Sequence, residues 1–101
     1  MKRKDILGIK DLSTSEVNEI LTAANVMRER LDARERGNEL AGKSVATLFY
    51  ENSTRTRNSF DLAAKNLGAS VMGIAVAASS VQKGETLVDT GKTLDAMRND
   101  F

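Results

Sequence analysis

Val45-Ala46-Thr47-Leu48-Phe49-Tyr50 is a nearly continuous apolar run without helical spacing, and Ser53-Thr54-Arg55-Thr56-Arg57 follows it after a short link. Such a run suits a strand covered on both faces, as in a parallel sheet. The spacing beyond it predicts a helix from about Ser53 to Leu67, with Phe60, Ala63, Ala64 and Leu67 on its inner face and Gly68 as its stop. Val71-Met72-Gly73-Ile74-Ala75-Val76 then reads as a second strand. Strand, helix and strand joined by a right-handed crossover form the unit from which open parallel sheets are built. This unit sets the fold class as α/β.

Upstream, Ser13-Thr14-Ser15-Glu16 has the spacing of a capping box, with Ser13 as N-cap. Val17, Ile20, Leu21, Ala24, Met27 and Leu31 continue at intervals of three and four, which places them on one helical face, and Gly37 is the expected stop. Downstream, Ala77 to Gly84 is a small-residue loop, and Thr86 to Met97 reads as a third helix marked by Leu87, Leu94 and Met97. The order is α-β-α-β-α. Two strands are too few to cover several helices, so residues 1–101 read as part of a larger domain, with a third strand due near Asp100-Phe101.

Composition narrows the chemistry. The chain carries 15 Lys+Arg against 14 Asp+Glu, and the formal net charge of +1 does not fit a duplex nucleic-acid binder. With no Cys there is no disulfide, no thiolate nucleophile and no sulfur-ligated zinc; with no His, the commonest metal ligand and neutral-pH proton carrier is missing. No apolar run approaches the roughly 20 residues of a membrane span. Met1-Lys2-Arg3-Lys4 is followed by Asp5 and not by an apolar stretch, so a cytoplasmic protein is the expectation. The remaining kit is hydroxyls, amines, guanidinium groups, carboxylates and backbone amides.

That kit is concentrated at Ser53-Thr54-Arg55-Thr56-Arg57, where the first strand hands over to the second helix. Ligands of open α/β sheets bind beyond the carboxyl ends of the strands, and a helix N-terminus there offers free N–H groups and partial positive charge. Hydroxyls and forked guanidinium groups suit phosphate oxygens. Arg55 and Arg57, two apart, point in different directions, so one can bind an anion while the other braces the loop. Ordinary N-capping by Ser53 or Thr54, with two solvated arginines, is the competing reading. Gly37-Asn38-Glu39-Leu40-Ala41-Gly42-Lys43-Ser44 spells the P-loop pattern. Its context is reversed, because it follows a helix and enters a strand, so a turn with an exposed Lys43 is expected. Ser79, Ser80 and Lys83 lie in the loop after the second strand, and Glu85 sits where it complements the dipole of the next helix.

Together these segments carry a resemblance. Phe49-Tyr50-Glu51-Asn52-Ser53-Thr54-Arg55-Thr56-Arg57-Asn58-Ser59-Phe60, continued by Leu67-Gly68-Ala69-Ser70-Val71, resembles the carbamoyl-phosphate motif of the transcarbamoylase family. Val81-Gln82-Lys83-Gly84-Glu85-Thr86-Leu87-Val88-Asp89-Thr90 is similar to the lysine-bearing loop of its aspartate branch. The resemblance implies a Rossmann-like carbamoyl-phosphate-binding domain, of which residues 1–101 are the N-terminal part, with the aspartate-binding domain outside this chain. It implies carbamoyl transfer from carbamoyl phosphate to L-aspartate in pyrimidine synthesis, without cofactor or metal. By motif, Ser53, Thr54, Arg55 and Thr56 bind the phosphate, and Arg55 and Thr56 also approach the carbonyl oxygen. Ser79 and Lys83 reach the site of a neighbouring subunit, with Ser80 as the rival serine, which implies a homotrimer; regulatory subunits are a further class of partner. Glu51, Arg57 and Glu85 take supporting roles. Asn52 stands where many members have Pro. The later arginine, histidine and glutamine of the family site have no counterpart here, so the segment alone is expected to be inactive. Two alternatives stay open: a transcarbamoylase for ornithine or another amine, and a non-catalytic phosphate-binding fragment.

Overall fold

The computed structural model describes residues 5–49, 54–75 and 87–101. The chain divides into two compact units, residues 1–35 and 36–101.

The first unit is built on helix α1, Thr14–Asp32, preceded by a 3-10 turn at Ile9–Asp11. Its start is the expected capping box: the Glu16 amide donates to Ser13 Oγ at 3.1 Å, and the Ser13 amide donates to Glu16 Oε1 at 3.0 Å. Two of the helix's orphan donors are thereby satisfied. The stop is not Gly37. Arg34 adopts the left-handed conformation (φ 57°), its amide donating to the Leu31 carbonyl at 3.0 Å and that of Glu35 to the Arg30 carbonyl at 2.9 Å. This is a Schellman ending with arginine in the position that glycine usually takes. A side chain in that conformation costs about 1 kcal/mol or more. Arg34→Gly should therefore raise the helicity of a peptide spanning residues 5–36, by up to about 1 kcal/mol once glycine's looser unfolded state is counted. Circular dichroism of the two peptides checks this, and equal or lower helicity in the glycine peptide refutes it.

The second unit holds the sheet. Strand β1, Ser44–Phe49, pairs in parallel with β2, Ser70–Ala75, in a register running from Ser44 opposite Ser70 to Phe49 opposite Ala75. The Phe101 amide donates to the Ser44 carbonyl at 3.1 Å, and the Ala46 amide donates to the Phe101 carbonyl at 2.9 Å. This parallel-ladder pattern sets Phe101 beside Val45, because the backbone groups of Ser44 and Ala46 face away from the edge that β2 occupies. β1 is thus hydrogen-bonded on both edges at its start, while its faces are only half-buried apart from Thr47.

Helix α2, Thr54–Asn66, crosses back between the strands. It ends as expected at Gly68 (φ 91°): the Gly68 amide donates to the Lys65 carbonyl and the Ala69 amide to the Ala64 carbonyl, both at 3.0 Å. The positive φ calls for glycine here, and a Cβ would meet the Asn38 Cα only at van der Waals distance, 3.4 Å. Helix α3, Leu87–Ala96, closes with the Asn99 side-chain amide donating to the Leu94 carbonyl at 3.0 Å. Of its expected apolar marks, Leu94 is half-buried and Met97 is exposed.

The inner face of α2 differs from the expectation. Ala64 is buried, but Ala63 is exposed and Phe60 is 61% exposed, its ring lying 6.2 Å from that of Phe49. The stripe against the sheet runs through Arg57, Asp61 and Ala64, spaced four and three apart. The cause is a polar contact: the Thr47 hydroxyl donates to Asp61 Oδ1 at 2.7 Å, which turns Asp61 to the sheet and swings Phe60 to its flank. Among the described residues, Ala64 and Thr47 alone are buried, each still 7% exposed, in keeping with the small covering power of two strands.

Candidate active site

The carboxyl ends of β1 and β2 lie side by side at Phe49 and Ala75, and four residues separate the end of β1 from the start of α2. Since Asp61, two turns into α2, packs back on Thr47 in β1, the first turn of α2 stands at the carboxyl edge of the sheet. A helix start at that edge is where open α/β sheets receive anions. Thr54, Arg55 and Thr56 occupy this first turn and are exposed, while Arg57 is half-buried on the sheet-facing stripe. At about 100° per residue the two arginines diverge by about 200°, which separates an exposed residue at Arg55 from a half-buried one at Arg57. The Ser59 hydroxyl donates to the Arg55 carbonyl at 2.9 Å and so adds a side-chain tie to the helix backbone just inside the site. Ser53, Glu51, Ser79, Ser80, Lys83 and Glu85 lie outside the described residues.

The P-loop lettering has a structural occupation. The Gly37 and Leu40 amides donate to the Asn66 and Leu67 carbonyls, both at 2.8 Å, and so cap the far end of α2. The Lys43 amide donates to the Leu40 carbonyl at 2.9 Å. The Ser44 amide donates to Asp100 Oδ2 at 2.9 Å, and its hydroxyl donates to Asn99 Oδ1 at 2.7 Å. These donors face protein acceptors, and the string leads into the amino end of β1, away from the edge where α2 begins. A turn that caps α2 and starts β1 accounts for it.

Residues 4–101 match the family model described as aspartate/ornithine carbamoyltransferase, carbamoyl-P binding domain. The chain belongs to the aspartate/ornithine carbamoyltransferase family. Within that family, it is 52% identical to the aspartate carbamoyltransferase catalytic subunit of Ruminiclostridium cellulolyticum over 102 aligned residues, covering 100% of this chain and 33% of that protein. The catalytic subunit of M. jannaschii aspartate transcarbamoylase superposes with a TM-score of 0.82 at 42% identity, over 94% of this chain and 31% of that one. Aspartate transcarbamoylase from Trypanosoma cruzi, in complex with carbamoyl phosphate and aspartate, superposes with a TM-score of 0.78 at 41% identity, over 92% of this chain and 29% of that one. The chain therefore spans about a third of the length of the curated relatives it matches. These likenesses agree with the aspartate-branch reading of the motifs and with the partial Rossmann-like α/β fold.

Reading the sequence by motif missed two residues of the site's scaffold, Thr47 and Asp61. A signal was present. Thr47 is a hydroxyl within an apolar strand, and Asp61 falls on the helical stripe of Arg57 and Ala64.

Proposed function

We propose that the full-length protein bearing this chain transfers the carbamoyl group of carbamoyl phosphate to the α-amine of L-aspartate, giving N-carbamoyl-L-aspartate and phosphate, an early step of pyrimidine synthesis. The observation that carries this reading is the first turn of α2, with Thr54, Arg55 and Thr56 exposed at the carboxyl edge of the sheet, in a chain 52% identical to an aspartate carbamoyltransferase catalytic subunit. A neutral amine attacks the carbonyl carbon, the C–N bond forms, and the bond from that carbon to the phosphate oxygen breaks. The electron pair leaves with phosphate, and the amine gives up a proton. Two sites of negative charge need support, the developing oxyanion and the departing phosphate. Fixed N–H, hydroxyl and guanidinium donors supply it without a protein nucleophile.

In this reading Ser53, Thr54, Arg55 and Thr56 hold the phosphate, and Arg55 and Thr56 also face the carbonyl oxygen. Arg57 braces the turn, and Glu51 and Glu85 support it. Ser79 and Lys83 complete the site of a neighbouring chain, in a cytoplasmic homotrimer; the remainder of the domain and an aspartate-binding domain belong to the rest of the protein. The test is to supply the full-length protein with carbamoyl phosphate and either aspartate or ornithine. Carbamoyl-aspartate is the expected product, and carbamoylation of ornithine alone overturns the choice of acceptor.

A further inference from the structure

We infer that Asp61 is a positioning residue, which, through its hydrogen bond from Thr47, sets the tilt of α2 and so aims the anion-binding turn at the helix's other end. Thr47 is 7% exposed, the single buried polar side chain among the described residues, and its hydroxyl donates to Asp61 Oδ1 at 2.7 Å. The other carboxylate oxygen, Oδ2, lies over Gly73, where a Cβ would stand 3.5 Å from it and 3.5 Å from Thr47 Oγ1. Gly73 is the register partner of Thr47. The carboxylate is therefore seated across both strands, against a hydroxyl on one and bare backbone on the other.

Elsewhere among the described residues, α2 is held by the Phe49–Phe60 ring contact and by the amides that cap its far end. Ala64, one turn further on, is the only buried residue of α2, and a methyl group resists tilting weakly. A hydrogen bond to a carboxylate is stronger than a neutral one and has a direction. Asp61 lies two turns from Thr54, about 10 Å along the axis, so a tilt of about 5° around it displaces the first turn by about 1 Å. A misplacement of that size costs about 100-fold where reacting groups must be aligned. Asp61 and Thr47 need not touch the ligand to govern its binding.

The inference rests on the function proposed above, and the full-length protein tests both. Asp61→Ala and Thr47→Val should each raise the KM for carbamoyl phosphate, and the dissociation constant for inorganic phosphate, by about tenfold or more. Asp61→Asn and Thr47→Ser, which keep an acceptor and a donor, should return both constants to within about threefold of wild type. The double variant should be no worse than the poorer single one, because both remove the same bond. Thr47→Val is nearly isosteric and keeps the assay usable where Asp61→Ala does not fold. Wild type that binds neither carbamoyl phosphate nor phosphate overturns the function and this inference together. Active wild type with folded variants matching it within about twofold, or with fully additive losses, overturns the positioning role alone.

Discussion

Arg55→Ala in the full-length protein should lower kcat by about 10²–10³-fold, the loss that follows deletion of one preorganised donor to an oxyanion. Within the described part of α2, the neighbouring arginine is not placed to replace it. Arg57 lies on the sheet-facing stripe of α2, half-buried, while Arg55 is exposed in the first turn at the carboxyl edge. The loss should fall on kcat more than on KM, since negative charge on the carbonyl oxygen is greatest in the transition state, whereas the ground-state phosphate keeps the helix amides and the hydroxyls of Thr54 and Thr56. Arg55→Lys should recover only part of the rate, because an ammonium is a point charge and does not fork across two oxygens. Steady-state kinetics of folded variants checks this. An Arg55→Ala enzyme within about fivefold of wild type would remove the oxyanion role.

Signals confined to a few neighbouring residues were legible in the sequence. The Ser13–Glu16 capping box, the glycine stop at Gly68 and the β-α-β unit all stand where local spacing places them. The first helix ends earlier than Gly37 because Arg34 accepts a left-handed backbone, held by two amide-to-carbonyl bonds. A glycine-based reading passes over such an ending. Apolar character alone points Phe60 inward, but which face of α2 meets the sheet is decided by a partner in another element. Thr47, fourteen residues upstream, draws Asp61 down with a 2.7 Å bond. Long-range polar pairing leaves no period in the sequence. The proposed anion-binding turn stands out in the sequence for the opposite reason, since its candidate donors are consecutive residues at a helix start and need no distant partner to be picked out.

Lys83→Ala should also cost about 10²-fold or more, and its partnership with Arg55 makes the stronger test. If the loop lysine serves the neighbouring subunit, a native site combines Arg55 of one chain with Lys83 of the next. An Arg55→Ala chain keeps its lysine, and a Lys83→Ala chain keeps its arginine. Refolded together in equal amounts into closed trimers, the two variants meet at random around the ring. A boundary is native when the chain donating arginine is the lysine variant and the chain donating lysine is the arginine variant, which happens at about a quarter of the boundaries. The mixture should therefore reach about a quarter of wild-type activity, although each variant alone is nearly inactive. Were both residues to act within one chain, mixing would give only the average of two poor enzymes. Activity measured before and after joint refolding separates the two outcomes, and the absence of any gain would assign Lys83 to its own subunit's site or to none.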